Sequence, residues 1–68
     1  MEEKPTLSQY IAVIGDKPAA AMFGVKPGTA RAWRGGRRVP GRKKAEYIIA
    51  VTGGKLDWKG IYAAELKP

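Results

Sequence analysis

The sequence predicts an all-α fold, a compact bundle of four to five helices that forms a single domain over residues 1–68. Three observations carry this prediction. Apolar residues recur at helical spacing, as at Leu7, Ile11 and Ile14. Glycine and proline divide the chain into short segments that suit helices. The alanine run from Ala19 to Ala21 has a high helix propensity.

The first helix is predicted from about Leu7 to Ile14. The hydroxyl of Thr6 can accept a hydrogen bond at its start, and Gln9, three positions later, completes the spacing of a capping box. Gly15 suits the end of this helix because glycine adopts left-handed backbone angles without a steric penalty.

The second and third helices are predicted as a pair joined by a tight turn. Asp16 is expected to be the N-cap of a helix from about Lys17 to Phe23, which ends at Gly24. The third helix begins at Pro27, whose fixed φ angle is already helical, and ends near Gly35. The residues expected to hold the pair together are small or apolar: Ala20, Phe23, Gly24, Val25, Ala30 and Trp33.

A fourth helix is predicted from about Arg42 to Val51, after a connector in which Val39 is expected to be buried. Pro40 makes the break before this helix firm, because a residue that precedes proline avoids helical angles. The apolar residues that share the inner face of the fourth helix are Ala45, Ile48 and Ile49.

Residues 55–68 allow two structures. We favour a helix from Trp58 to Leu66 with Asp57 as its cap. The alternative is a β-hairpin over the same residues, because tryptophan, isoleucine and tyrosine also favour strands.

Charge is the strongest signal in the composition. The chain carries 13 lysine and arginine residues against 6 aspartate and glutamate residues, a net charge of +7. Nine of the basic residues lie between Lys17 and Lys44, where there is no acidic residue. Such segregation predicts a positive surface whose natural partner is a polyanion.

Several classes of protein are disfavoured by composition. The chain has no cysteine and no histidine, so it lacks the usual metal ligands and the commonest general base. We therefore expect no enzymatic activity, no metal and no cofactor or small-molecule substrate. No apolar run is long enough for a membrane span, and the polar N-terminus lacks the form of a secretory signal. The expected location is the cytoplasm.

The helix pair and the charge together predict a helix-turn-helix that binds double-stranded DNA. Gly24 provides the positive φ angle that the turn needs, and Ala20 allows the two helices to approach closely. Arg31 points outward from the third helix and can donate two hydrogen bonds to guanine. Residues expected to contact phosphate are Lys17, Lys26, Thr29, Arg37, Arg38, Arg42, Lys43 and Lys44.

The stretch from about Ile11 to Gly54 resembles the helix-turn-helix of the phage Cro and CI-type repressors. The likeness rests on these features: Ala20 and Gly24 four apart, Val25 after the glycine, Pro27 at the helix start, the connector from Trp33 to Pro40, which looks like W-x-x-G-R-x-[IV]-P, and the A-E-x-I stretch from Ala45 to Ile48.

The resemblance implies a compact helical domain that binds a palindromic operator as a homodimer and represses early phage promoters, next to the nucleoid of a bacterial host. By position, it implies base readout by Pro27, Gly28, Arg31 and Ala32, with Arg34 nearby. The family often has polar residues where this chain has Pro27 and Gly28, which leaves Arg31 as the main base-reading candidate.

Two other functions fit the same composition. One is an excisionase or another architectural factor that bends DNA, although no clear wing hairpin follows the third helix. The other is an antitoxin-like module whose basic face meets an acidic protein.

Overall fold

Five α-helices follow one another in the computed structural model, which describes residues 4–63. They are α1 (Leu7–Ile14), α2 (Asp16–Phe23), α3 (Pro27–Arg34), α4 (Arg42–Val51) and α5 (Trp58–Ile61). This part of the chain contains no strand, so the all-α prediction is confirmed. The predicted bounds of the first, third and fourth helices agree with the structure.

The start of α1 is the predicted capping box. The Gln9 amide donates to the Thr6 hydroxyl over 3.1 Å, and the Gln9 side chain accepts from the Thr6 amide over 2.9 Å. These two bonds satisfy backbone donors that a helix start otherwise leaves without partners. Leu7 and Ile11 on the inner face of α1 are then buried.

The start of α2 differs from the prediction. Asp16 was predicted as the N-cap, but the N-cap is Gly15, and Asp16 is the first helical residue. No side chain caps this end of the helix, because the N-cap Gly15 has none, and the Asp16 carboxylate bonds Arg34 instead. Gly15 occupies the junction with φ at 99°, a region that only glycine enters readily.

The turn between α2 and α3 follows the prediction. Gly24 has φ at 69° and ends α2 in the left-handed conformation. The amides of Gly24 and Val25 both donate to the carbonyl of Ala20, which closes the end of the helix. Pro27 then occupies the first turn of α3, as expected.

The core draws on all five helices. Its aromatic centre is Phe23, whose ring lies 6.3 Å from the rings of both Tyr10 and Trp33. The buried apolar side chains are Leu7, Ile11, Ala19, Ala20, Phe23, Ala30, Trp33, Ala45, Ile48, Leu56 and Ile61. Val39, predicted to be buried, is only half-buried, and the next residue, Pro40, is buried instead.

The structure of residues 55–63 decides between the helix and the β-hairpin considered for the C-terminal segment. The Asp57 side chain accepts from the Gly60 amide over 2.9 Å and caps α5, so the helix is confirmed and the hairpin is wrong for these residues. The helix ends at Ile61, and the predicted continuation to Leu66 lies outside the described residues beyond position 63. Tyr62 donates to the Pro40 carbonyl over 2.9 Å and ties this segment to the connector.

No helix within residues 4–63 is both long enough and apolar enough to cross a bilayer.

Candidate functional site

The exposed face of α3 is the first part of the candidate site. Ala30 and Trp33 are buried, so the opposite side of the helix points outward. Pro27, Gly28 and Arg31 are exposed on that side. Ala32 and Thr29 are half-buried at its edges. The sequence had predicted this division between an inner face and an outer one.

Gly28 makes the outer face of α3 flat beside Arg31. Its φ angle is not positive, and a Cβ atom added there would meet nothing within 4 Å. A glycine inside a helix costs about 1 kcal/mol relative to alanine. Neither backbone geometry nor packing within residues 4–63 therefore requires glycine at this position, and the surface beside Arg31 is left without a side chain.

Arg34 has a partner within the chain. Its Nε atom donates to Asp16 Oδ1 over 2.8 Å, and its Nη2 atom donates to Oδ2 over 3.3 Å. The hydrogen bond and the negative charge of Asp16 raise the pKa of the Arg34 guanidinium above its ordinary value. The structure therefore places this predicted base-reading residue in an ion pair with α2.

Lys44 is also held inside the domain. Its Nζ atom donates to the Phe23 carbonyl over 3.1 Å, at the C-terminal end of α2, and lies 5.2 Å from the centre of the Tyr47 ring. A cation is favourable there because the helix dipole is negative at its C-terminus. Lys44, predicted to contact phosphate, thus links α4 to the turn before α3.

The other cations of the basic stretch are exposed. Arg42 lies 3.9 Å from Glu46, but its side chain is 86% exposed, so this pair is loose. The remaining ion pairs within residues 4–63 are Lys4–Asp57 and Arg34–Asp16. Apart from Lys44, the predicted phosphate-contacting cations that have no acidic partner within 4.0 Å in this part of the chain are Lys17, Lys26, Arg37, Arg38 and Lys43.

Two helices begin close to these cations along the chain and lack both a side-chain cap and an acidic residue in their first turn. They are α3, which follows Lys26, and α4, which follows Gly41. Arg42 and Lys43 lie in the first turn of α4, where positive charge opposes the helix dipole. An anionic partner would relieve this repulsion and accept hydrogen bonds from the backbone amides in the first turn of α4.

Sequence reasoning missed Ser8 and the role of Asp16. The Ser8 hydroxyl donates to the carbonyl of Arg34, 26 positions further along the chain. No local pattern identifies such a bond, because neither residue is unusual in its own helix. For the pair of Asp16 and Arg34, the only available signal was an acid at the start of one helix and an arginine at the end of the next.

Comparisons of the chain with family models, with curated proteins and with solved structures found no match. Within the described residues, no group of three or more acidic, histidine or cysteine side chains is placed to hold a metal ion.

Proposed function

We propose that this chain binds double-stranded DNA in a sequence-specific way and acts as a transcriptional repressor of the phage or prophage Cro class. One observation carries the proposal: the outward face of α3, with Arg31 on it, belongs to a stretch of nine basic residues without an acidic one. Most of these cations are exposed, and the two that bond inside the domain are Arg34 and Lys44.

In this proposal α2 and α3 form a helix-turn-helix, and α3 enters the major groove. Arg31 donates two hydrogen bonds to O6 and N7 of a guanine, which discriminates against other bases by about 1–3 kcal/mol. Pro27 and Gly28 allow the start of α3 to lie close to the base edges. Ala32 is suited to contact with a thymine methyl group.

Affinity in this proposal comes mainly from the phosphate backbone. The exposed cations before and after α3, from Lys17 to Lys43, each neutralise a phosphate and release a counterion. Thr29 contributes a hydroxyl near the helix start. Because these contacts carry no sequence information, specificity depends on few side chains, and Arg31 is the foremost of them.

The expected target is a palindromic operator bound by a homodimer in the host cytoplasm, at the nucleoid. Two-fold symmetry places the half-sites about one helical turn apart, roughly 34–36 Å along the duplex. A symmetric protein pair then reads the same base pattern twice, which multiplies the limited specificity of a single α3.

Selection followed by footprinting tests this function. A random pool of duplex DNA is enriched with the protein, and the enriched sequence is footprinted over a series of salt concentrations. The proposal expects two protected half-sites about 10 base pairs apart and an affinity that falls steeply with salt. Absence of any binding at about 50 mM salt contradicts it, because nonspecific attraction alone is strong there.

The same footprints separate the alternatives. Long, phased protection of strongly bent DNA supports an architectural factor. No wing hairpin lies within residues 4–63. Binding to an acidic protein, without binding to DNA, supports the antitoxin-like module.

A further inference from the structure

Arg34 joins the end of α3 to two other helices. Its guanidinium makes a two-point ion pair with Asp16, the first residue of α2, at 2.8 and 3.3 Å. Its backbone carbonyl accepts a hydrogen bond from the Ser8 hydroxyl on α1. Side chain and main chain of one residue thus fix the C-terminal end of α3 on both neighbours.

The electrostatic setting favours this arrangement. Asp16 lies at the N-terminus of α2, where a negative charge is favourable, and Arg34 lies at the C-terminus of α3, where a positive charge is favourable. The planar guanidinium matches the two carboxylate oxygens, a geometry that lysine cannot reproduce. The pair therefore engages Nε and Nη2 of Arg34 and both carboxylate oxygens of Asp16.

We propose that Asp16 and Arg34 are positioning residues for DNA recognition, and that Arg34 itself does not contact DNA. This inference rests on the proposed function. Arg31 lies three positions before Arg34, so the two residues are separated by about 4.5 Å along the helix axis. A clamp at Arg34 restricts rotation of α3 about its own axis and thereby sets the direction in which Arg31 points.

A competing arrangement makes opposite predictions. If Arg34 leaves Asp16 and pairs with phosphate when DNA binds, Asp16 is a competitor of DNA, and its neutralisation strengthens binding. If the pair is a clamp, neutralising Asp16 weakens recognition even though the protein becomes more positive.

The experiment compares Asp16→Asn, Arg34→Gln and the double variant, with Lys17→Gln as the matched control. Lys17 neighbours Asp16 and is exposed, with no ion pair in the described part of the chain. The Tm is measured without DNA. Affinity is measured for a duplex of about 30 base pairs enriched by the wild type and for a scrambled duplex, between about 50 and 200 mM salt.

The clamp predicts that each single variant lowers the Tm by about 4 °C and that the double variant loses little more. Each is also expected to lower the ratio of affinities for the enriched and scrambled duplexes about five- to tenfold, at a temperature where all variants are folded. The slope of log affinity against log salt stays at the wild-type value. Lys17→Gln does not lower the Tm, because it removes a positive charge near the N-terminus of α2, and it reduces that slope by about 1.

Two results overturn the clamp while the proposed function stands. One is an Asp16→Asn variant that keeps or increases the affinity ratio. The other is an Arg34→Gln variant whose salt slope falls by about 1, as expected for a lost phosphate contact. If Arg34→Gln does not fold, Arg34→Lys replaces it: the clamp predicts the same loss of ratio although the charge is retained.

Failure of the proposed function looks different. A wild-type chain that binds neither duplex at about 50 mM salt contradicts DNA binding and, with it, any positioning role in recognition. The DNA-free Tm values still decide whether Asp16 and Arg34 are coupled in folding.

Discussion

Arg31 and Arg34 lie on the same helix, one turn apart, but their surroundings differ. Arg31 is exposed, with a flat surface left by Gly28 beside it. Arg34 is bonded to Asp16 through its side chain and to Ser8 through its carbonyl. The outer face of α3 is therefore open to a partner, and its C-terminal end is anchored. The comparison shows that two arginines one turn apart on the same helix differ in the partners that the fold gives them.

The largest expected effect comes from removing the buried ring of Trp33, which lies between Arg31 and Arg34 in the sequence. Trp33 is 6% exposed, and Trp33→Ala should lower the free energy of unfolding by about 3–5 kcal/mol. Urea denaturation measures this loss. In a domain of this size it is enough to unfold much of the protein, so both the open face and the anchored end are lost.

Trp58→Ala is the matched control, because Trp58 is 43% exposed on α5. Its cost should be well below that of Trp33→Ala. Equal losses from the two variants would contradict the assignment of Trp33 to the core beneath α3.

The next effect distinguishes two glycines that flank the start of α3. Gly24 has φ at 69°, so Gly24→Ala should cost about 1–2 kcal/mol of unfolding free energy. Gly28 has no positive φ angle and no neighbour that a Cβ atom would meet, so Gly28→Ala should stabilise the domain by up to about 1 kcal/mol. Urea denaturation of both variants checks the opposite signs, and a destabilised Gly28→Ala would show that the fold itself needs this glycine.

A smaller effect separates two adjacent lysines on α4. Lys44→Gln removes the bond to the Phe23 carbonyl and should lower the free energy of unfolding by about 1 kcal/mol, with the salt dependence of DNA binding retained. Lys43→Gln should not lower stability, because it removes a positive charge that opposes the dipole of α4, and it should reduce the salt slope by about 1. Denaturation and binding titrations over a salt series measure the two quantities. If Lys44→Gln lowered the salt slope and Lys43→Gln lowered stability instead, Lys44 rather than Lys43 would lie at the phosphate backbone.

Local signals made most of the fold predictable. The capping box of Thr6 and Gln9, the glycine turn at Gly24 and the Asp57 cap each depend on residues within a few positions of one another. Helical spacing also assigned Ala30 and Trp33 to the inner face of α3. These features follow from backbone geometry that neighbouring residues determine.

The contacts that define the candidate site were less predictable. Asp16 and Arg34 are 18 positions apart, and Lys44 bonds a carbonyl 21 positions away. Helical spacing gives the direction in which a side chain points from the axis of its helix, but it does not identify the partner that another helix supplies. For that reason Asp16 was wrongly predicted as a cap, and the bonds of Arg34 to Asp16 and of Lys44 to the Phe23 carbonyl were not predicted.

The most direct test of the account compares sequence preference in the wild type, Arg31→Gln and Arg42→Gln. Affinities are measured for the duplex enriched by the wild type and for its scrambled counterpart at one salt concentration. The account predicts that Arg31→Gln loses about 1–3 kcal/mol of preference for the enriched duplex, and that Arg42→Gln weakens binding to both duplexes about equally. An Arg31→Gln variant with the wild-type preference, or an Arg42→Gln variant with a changed preference, would contradict the central role of the outer face of α3.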